Sequence, residues 1–431
     1  MLRSTIVATL LLALTACKSD PPKEEKKDYW KELPPGEMAL VKVTDPKLIP
    51  DFTKGFGDRE ALVASMDESI NWFMKDSTKQ YYPYLDVDHD RALASLVVFR
   101  EIVMRSTAAE DLDREIRSRF DVYMSRGCDD KGTVLFTGYC EPIFEGSLTK
   151  DSVYRYPLYR RPKDLVSQPD GKPLGRQTKA GVVSYWTRDE IESAHLLDGQ
   201  GLELVYLKDK FEAYICHIQG SARLLLNDGR ELRVGYAGKT DRPYVSVGMK
   251  LIESGKMKRE ELSLRTLKHY FKDHPEEVDP ALAVNESYVF FTERDGGPFG
   301  SLGVKVTPYH SIATDKSIYP RGCVAYLQTT LPQLAGDQMV RPAPFSGFAC
   351  DQDTGGAIRS AGRTDLFMGT GPNAELLAGS TYYEGHIFYL FLKDTEPRPE
   401  MPSAPKATGK GPAAPPKDAP ATVRPPKGKG R

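Results

Sequence analysis

The sequence lacks the spaced cysteines and histidines by which many proteins hold a metal. Its 431 residues include six cysteines and seven histidines, yet neither a CxxC pair nor an HExxH pattern occurs. The local signatures of a structural zinc site and of a zinc protease are therefore missing. A GxSxG elbow is missing as well, which argues against a serine hydrolase. We predict no metal ion and no cofactor.

Two further motifs are incomplete. The run Asp86–Asp90 begins like a calcium-binding loop, but Arg91 stands where glycine is needed and Val97 where glutamate is needed. The run Gly369–Ala374 resembles a dinucleotide fingerprint, although too few residues follow it for a doubly wound sheet. Its proline near the start, together with Gly379, instead predicts a short helix.

An excess of charge of one sign is also absent. The 59 Lys and Arg residues face 60 Asp and Glu residues, a net charge of −1, which gives no global attraction to nucleic acid. Residues 397–431 nevertheless hold eight basic and two acidic side chains, a net of +6, so the rest of the chain carries −7. The prolines there predict a disordered, solvated tail. Attachment of this tail to an anionic envelope surface is the alternative.

No hydrophobic run is long enough to cross a bilayer permanently, but a short one begins the chain. Arg3 precedes the apolar residues Ile6–Leu14, which is the pattern of a secretory signal. The run ends in Leu14–Cys17, which resembles a bacterial lipobox, so residues 1–17 are interpreted as a lipoprotein signal with a lipid-anchored Cys17. Lys18, rather than aspartate, follows it and indicates the outer membrane, facing the periplasm. A plain cleaved signal peptide is the alternative.

The body of the chain changes from helical to β-rich character near residue 130. Charged, proline-bearing residues first predict a tether over 18–57. From 58 to 126, apolar spacing predicts three helices, the last with a capping box at Thr107–Glu110. Short β-branched and aromatic runs follow, interrupted by two helical stretches within 244–272. The predicted strands include Val182–Trp186 and Val304–Val306. Many short strands with regular turns predict barrels rather than a parallel sheet.

The most informative stretch lies near the end of the body. Asp353 follows an apolar run and precedes Gly355 and Gly356. Glycines allow a bulky ligand to approach the backbone closely and leave amides exposed. An aspartate at this position is therefore expected beside a groove, whereas an ordinary Asp-rich turn is the alternative.

A set of motifs distributed over residues 58–395 carries a family resemblance. The motifs are Phe136–Pro142, Tyr156–Pro162, Thr187–Ile191, Ile218–Leu224, Tyr236–Lys239, Tyr244–Gly248, Asn285–Phe291, Gly300–Gly303, Asp353–Ile358 and Arg363–Phe367. In this order they resemble the membrane-bound lytic murein transglycosylase A family of peptidoglycan-cleaving lipoproteins.

The resemblance implies a mainly β fold with N-terminal helices. It implies a double-psi β-barrel domain built from residues 58–142 and 287–396, with a smaller β-barrel domain inserted at 143–286. A glycan groove would lie between the two domains.

The resemblance also implies a reaction and the residues that carry it. The β-1,4 bond from N-acetylmuramic acid to N-acetylglucosamine is cleaved, and the muramic C6 hydroxyl closes onto C1 to form a 1,6-anhydro sugar. One carboxylate suffices because the substrate supplies its own nucleophile. Asp353 matches the family's catalytic aspartate and must be held partly protonated, which burial favours. Asp315 and Asp365 complete a trio of aspartates and are expected to have supporting roles.

Further residues match the family's groove motifs, and their types suit a sugar because rings can stack on it and amides and hydroxyls can bond to it. They are Thr137, Gly138, Tyr139, Gln219, Gly220, Ser221, Tyr236, Lys239, Gly355 and Gly356. Tyr139 and Tyr236 could instead be core aromatic residues.

Five cysteines remain in an oxidising compartment once Cys17 carries lipid, so at most two disulfides are expected. Cys128 with Cys140, and Cys323 with Cys350, are plausible pairs by proximity, although sequence leaves the connectivity open.

Two other functions remain open at this point. One is a muramidase that uses water as nucleophile, with Glu141 or another acid as partner to Asp353. The other is a peptidoglycan-binding lipoprotein with an inactive site. The expected partners are peptidoglycan glycan strands and, through the lipid, the outer membrane. Cell-wall synthesis or division proteins are possible further partners.

Overall fold

The computed structural model describes residues 27–168, 171–258, 262–336 and 340–400, and it is mainly β with helices near the N-terminus. Its helices are α1 (Arg59–Phe73), α2 (His89–Arg105), α3 (Ala109–Arg119), α4 (Arg188–Glu192), α5 (Lys210–Gln219), α6 (Val247–Glu253), α7 (Leu264–Asp273), α8 (Val278–Ala283) and α9 (Pro372–Gly379). Its strands are β1 (Leu40–Lys42), β2 (Phe120–Ser125), β3 (Val134–Glu141), β4 (Ile143–Ser147), β5 (Tyr156–Tyr159), β6 (Leu165–Ser167), β7 (Pro173–Thr178), β8 (Gly181–Val183), β9 (Glu203–Leu207), β10 (Ser221–Leu226), β11 (Glu231–Lys239), β12 (Val289–Glu293), β13 (Ser311–Ala313), β14 (Val324–Leu334), β15 (Val340–Asp353), β16 (Arg363–Thr370) and β17 (Tyr382–Leu392). The predicted signal peptide with Cys17, and the predicted tail beyond residue 400, lie outside these residues.

Six strands close into a barrel. They follow the order β17, β14, β15, β13, β16 and β3, and β3 pairs again with β17. The pairs β13–β15 and β16–β3 are parallel, whereas the other pairs of the ring are antiparallel. Closure leaves the ring without free edges. The predicted barrel is thus confirmed, while the double-psi arrangement of its strands stays a prediction.

The N-terminal helices pack against this barrel and share its core. Met66 of α1 and Phe99 of α2 are buried in the same apolar cluster as Phe348 of β15, and the rings of Phe99 and Phe348 lie 4.9 Å apart. The three predicted helices are confirmed. The capping box is wrong, because the helix begins one residue later, with extended Ala108 as its N-cap, and Thr107 therefore does not cap it.

The inserted region forms a second β unit with its own core. Its six-stranded sheet has the order β12, β11, β10, β4, β9 and β5, and a parallel bridge between Arg160 and Phe291 joins the two ends. The three-stranded sheet β6–β7–β8 lies beside it. We predict that this domain ends at residue 286. Strand β12 follows that boundary and still pairs with β11, because Phe291 of β12 is buried in the inserted core.

Both helices expected within 244–272 are present as α6 and α7, with Gly255 following the first. The short helix expected near Gly379 is present as α9, with proline at its start. None of the helices in the described ranges is both long and apolar enough to cross a membrane.

Part of the predicted tether belongs to the folded body. Within residues 27–57, strand β1 pairs with β2, and Ala39 and Phe52 are fully buried. The tether prediction over 18–57 is therefore wrong for this part, because its apolar side chains fill the barrel core despite the charged residues around them.

Two predicted strands are shorter or absent. Strand β8 ends at Val183, because the Tyr185 N–H donates to Asp241 (2.8 Å) instead of to a neighbouring strand. Residues 304–306 form no strand; they belong to a turn in which the Gly300 N–H donates to the Val304 carbonyl (2.9 Å).

The proposed disulfides are also wrong. Cys128, Cys140, Cys216, Cys323 and Cys350 are all free and buried. The Cys323 thiol instead lies 3.2 Å from the Tyr82 hydroxyl. Each of these cysteines behaves as a small core residue, and burial raises the pKa of Cys140, Cys323 and Cys350 to about 12.

Candidate active site

Asp353 is the last residue of β15 and is half-buried at the end of the barrel. The backbone N–H groups of Ser301 and Thr354 both donate to its Oδ1, each at 2.8 Å. Ser301 can approach because residue 300 is glycine. A Cβ at Gly300 would lie 2.6 Å from the Gln352 carbonyl oxygen. The Ser301 amide is a site group that sequence reasoning missed, although its motif is among those that carry the resemblance.

Burial raises the pKa of Asp353 above its usual value, and the two backbone hydrogen bonds only partly oppose this shift. The predicted direction agrees with the need for a proton on this carboxyl group. Both amides donate to Oδ1, and neither donates to Oδ2. Such a group can carry a proton toward a ligand and take one back.

Tyr139 of β3 stands next to this carboxyl group. Burial, and then the negative charge of Asp353, raise the pKa of the Tyr139 phenol well above its usual value. Its hydroxyl is buried, and hydrogen bonding to Asp353 adds to the rise in the pKa of the phenol. Tyr139 is half-buried, and its ring packs on Phe367 at 5.2 Å, so its body is core-like while its hydroxyl belongs to the site.

Asp365 of β16 is linked to the site by a short chain of polar groups. Arg363 Nη2 donates to the Thr137 hydroxyl (3.0 Å), which in turn donates to Asp365. Burial raises the pKa of Asp365 to about 6, Arg363 opposes the shift, and Asp353 adds to it. The protonation of Asp365 is therefore coupled to that of Asp353.

Asp315 has a different environment. Its Oδ1 accepts from the N–H and the hydroxyl of Ser317 (3.0 and 2.6 Å), and its Oδ2 accepts from the Ser360 N–H (3.0 Å). Ser360 has φ of 75°, a left-handed conformation that side chains disfavour. Asp315 therefore holds the end of the loop that leads away from Asp353.

A buried ion pair lies beneath the site and was also missed by sequence reasoning. Lys316 is paired with Asp351, whose Oδ2 also accepts from the Thr314 and Tyr389 hydroxyls at 2.7 Å each. Asp351 is fully buried, and burial lowers the pKa of Lys316 while Asp351 raises it. The positive charge of Lys316 also lowers the pKa of Asp353 slightly, so the pair contributes to the field at the site.

Residues before the barrel reach the same loops. The Ser360 hydroxyl donates to the Tyr29 carbonyl (2.6 Å), and the Arg363 guanidinium lies 4.7 Å from the centre of the Trp30 ring. Arg363 is thus covered by a segment that the sequence predicts as a tether. No local signal in the sequence points to this contact, because it joins residues more than 300 positions apart.

The inserted domain supplies the opposite wall. Gly220 ends α5 with φ of 73°, and Gln219 before it accepts from the Cys140 N–H of the barrel (3.1 Å). Ser221 is half-buried and begins β10, whereas Tyr236 of β11 exposes 44% of its surface, so it is not a core residue.

The two domains meet near the glycines that follow Asp353. A Cβ at Gly356 would lie 3.8 Å from Nζ of Lys239, the last residue of β11. Gly355 is half-buried and Gly356 is exposed, as expected for a wall open to a ligand. The predicted residues thus come from both domains.

A cavity of about 220 Å³ lies in the same junction. Gly138 and Cys140 line it from β3, and Gln219 and Tyr244 from the inserted domain. A Cβ at Gly138 would lie 2.8 Å from Cα of Ala378 in α9, so this glycine permits close packing of the helix on the strand. Gly138 therefore has a packing role in the wall of this junction.

Glu141, the acid considered as partner to Asp353, is 1% exposed. It accepts from the Thr370 hydroxyl (3.0 Å), and Arg233 lies 3.5 Å away. Burial raises the pKa of Glu141. A side chain covered in this way is poorly placed to activate water in the groove.

Comparisons with known proteins agree with this architecture. Residues 135–292 match the family model described as the MltA specific insert domain, and residues 310–391 match the 3D domain. The first match covers the inserted sheet, and the second covers the part of the barrel that holds the three aspartates. Together they define a barrel protein interrupted by this particular insert.

The membrane-bound lytic murein transglycosylase A of Vibrio cholerae is 36% identical to this chain over 272 residues, which cover 62% of this chain and 68% of the relative. The protein of the same name from Escherichia coli K12 is 30% identical over 273 residues, covering 63% and 69%. This chain therefore belongs to the membrane-bound lytic murein transglycosylase A family.

Solved structures show the same fold. A membrane-bound lytic murein transglycosylase from Agrobacterium tumefaciens has a TM-score of 0.67 at 28% identity, covering 82% of this chain and 98% of that one. Escherichia coli MltA with bound chitohexaose has a TM-score of 0.62 at 23% identity, covering 86% and 99%.

Proposed function

We propose that this protein is a peptidoglycan lytic transglycosylase that cleaves the β-1,4 bond between N-acetylmuramic acid and N-acetylglucosamine. The observation that carries the proposal is the environment of Asp353 in a chain of this family. Its carboxyl group is half-buried, its pKa is raised, and two amides hold one oxygen. The names of the relatives, and the chitohexaose bound by one of them, support a glycan substrate.

In the proposed mechanism, protonated Asp353 first gives its proton to the glycosidic oxygen as the bond from that oxygen to C1 breaks. The carboxylate then takes the proton of the muramic C6 hydroxyl, whose oxygen bonds to C1. The products are a 1,6-anhydro-muramic end and a free N-acetylglucosamine end. No water is consumed, and Asp353 is returned to its protonated form.

Asp315 and Asp365 are assigned supporting roles in this mechanism. Asp315 is occupied by three hydrogen bonds from the loops beside it, which supports a role in fixing the loop after Asp353. Asp365 accepts from Thr137, and its protonation is coupled to that of Asp353, which supports a role in setting the protonation of Asp353. The groove residues Tyr139, Gln219 and Tyr236, together with Gly355 and Gly356, are assigned to sugar contacts.

The test is a digest of purified sacculi, read by mass spectrometry. Asp353→Asn keeps the shape of the side chain and removes the proton, so release of anhydro-muropeptides is expected to fall by about 10²–10⁴-fold. Asp45→Asn is the matched control, since Asp45 caps a short exposed helix and asparagine caps equally well. Release by Asp353→Asn at a rate comparable with wild type would refute the assignment.

The same digest separates the other functions. A muramidase adds water and leaves muramic ends that borohydride reduces, whereas anhydro ends resist reduction. A binding protein without activity would retain sacculi and release nothing. The burial of Glu141 disfavours the muramidase.

We further propose that Cys17 carries lipid and anchors the protein to the outer membrane, facing the periplasm. The support is the lipobox-like sequence before Cys17 and the membrane-bound relatives. Fractionation of cells is expected to find the wild-type chain with outer membranes and Cys17→Ala in the soluble periplasmic fraction. Lys18→Asp is the matched variant, which should retain the lipid but move to the inner membrane. An unchanged distribution of Cys17→Ala would contradict the anchor.

A further inference from the structure

Lys239 is a half-buried lysine without an acidic partner. Within the residues that the structure describes, no carboxylate oxygen lies within ion-pair distance of its Nζ, although charged residues elsewhere in the inserted domain are paired, such as Arg188 with Glu192 at 2.8 Å. Burying an ammonium group without a counter-charge is costly, so its retention at this place needs an explanation.

The ammonium group of Lys239 points into the groove. It faces Gly356, which has no side chain to cover it and is only three residues beyond Asp353. The Tyr244 side chain borders the same glycine, at 3.8 Å from a Cβ built there. The ammonium group is thus left open toward the space that a glycan would occupy.

A second cation adds to the same field. Arg359 lies on the loop after Asp353. Burial lowers the pKa of Lys239, and the positive charge of Arg359 adds to this shift. Arg359 is 51% exposed, and its only ion pair within the described ranges is with Asp315 at 3.7 Å, whose oxygens already accept three other hydrogen bonds. Lys239 faces Gly356, and Arg359 follows that glycine by three residues in the chain. Because neither cation is fully compensated, this place favours an anion.

We propose that Lys239 and Arg359 form an anion subsite that binds a carboxylate carried on the muramic acid side of the substrate. This inference rests on the proposed function. Muramic acid differs from N-acetylglucosamine by a lactyl group on O3. That group either ends in its own carboxylate or continues into a stem peptide that carries carboxylates. The subsite would therefore distinguish peptidoglycan from uncharged N-acetylglucosamine oligomers.

The experiment compares Lys239→Met with wild type on three ligands. They are peptide-bearing glycan strands, strands from which an amidase has removed the peptides and so freed the lactyl carboxylates, and chitohexaose, whose binding is measured by calorimetry. We expect about a tenfold loss in kcat/KM on carboxylate-bearing strands, the usual scale for one charge-assisted hydrogen bond, and unchanged binding of chitohexaose. Arg359→Gln is expected to act in the same direction with a smaller loss.

The pattern of loss identifies the source of the carboxylate. A loss only on the amidase-treated strands assigns the lactyl carboxylate, which is free only there, and a loss only on peptide-bearing strands assigns the stem peptide. A loss on both kinds of strand shows that the subsite accepts either carboxylate. Lys47→Met is the control, because Lys47 is an exposed lysine of a short helix outside both domains' facing walls. Circular dichroism of each variant checks that it is folded.

Two results would overturn the inference. Equal kcat/KM of Lys239→Met and wild type on both kinds of strand would show that no carboxylate is bound. An equal loss on all three ligands would show that Lys239 contacts the sugar itself. Failure of the proposed function would be distinct, since wild type would then release no anhydro products from any strand.

Discussion

The two walls of the groove differ in how their charged groups are held. On the barrel wall, Asp351 is paired with Lys316, Asp315 accepts three hydrogen bonds, and Asp353 accepts two. On the wall of the inserted domain, Lys239 has no acid partner in the described ranges and Tyr236 is 44% exposed. In the proposed mechanism this difference is a division of roles: the barrel holds the group that transfers protons, and the inserted domain presents groups that bind the ligand.

The largest expected contrast is between two lysines given the same substitution. Lys316→Met leaves the buried Asp351 without its counter-charge, so the free energy of unfolding should fall by about 3–5 kcal/mol. Lys239→Met removes no internal pair and should change it by less than about 0.5 kcal/mol. Urea unfolding of both variants measures this. A similar decrease in the free energy of unfolding for the two variants would contradict the proposed difference between the walls.

The second prediction concerns the close approach of backbone to Asp353. In Gly300→Ala, the new Cβ would collide with the Gln352 carbonyl oxygen, which lies 2.6 Å from its position, and displace the Ser301 amide. Because a hydrogen bond to a carboxylate contributes about 1.5–3 kcal/mol, kcat should fall by about 10–100-fold. Gly57→Ala is the matched control, since no atom lies within 4 Å of its new Cβ. Full activity of Gly300→Ala would show that the amide does not hold the acid.

The third prediction follows from the pKa of Asp365, which is raised from 3.8 to about 6. A raised pKa in the folded state means that Asp365 stabilises the fold below its unfolded pKa, and that this contribution is lost as pH rises through the folded value. Asp365→Asn cannot ionise. Its stability relative to wild type should therefore rise between about pH 4 and pH 7.

Urea unfolding of wild type and Asp365→Asn across this pH range measures the effect. Asp45→Asn, at an exposed cap, is the control for the loss of one carboxyl group. A constant difference between wild type and Asp365→Asn at every pH would mean that Asp365 is not buried in its neutral form.

The smallest effect is expected from the segment that covers Arg363. Trp30→Ala removes the ring 4.7 Å from its guanidinium, an interaction of about 0.5–2 kcal/mol, and should lower kcat a few-fold by loosening the Arg363–Thr137–Asp365 chain. Trp30→Phe should restore most of the loss. If Ala and Phe variants behave alike, the contact is only packing.

Much of this site could be predicted from residue patterns. The aspartate at the end of an apolar run before two glycines pointed to Asp353, and the family motifs marked residues on both walls. Strand β12 and the residues of β1 were misassigned, because the pattern of a short strand does not say which sheet it joins. The Lys316–Asp351 pair was missed, since neither residue belongs to a recognisable motif and only folding brings them together.

The sequence by itself determined the alternation of helical and β-rich segments, because apolar periodicity is a local property of the chain. It also pointed to Asp353 as the candidate acid, since the motif around this residue is contiguous. Only the tertiary structure decided how that acid is tuned and what faces it. Burial, the Ser301 amide and the position of Lys239 beside Gly356 depend on contacts between distant segments, and long-range contacts set the desolvation and charge that shift a pKa.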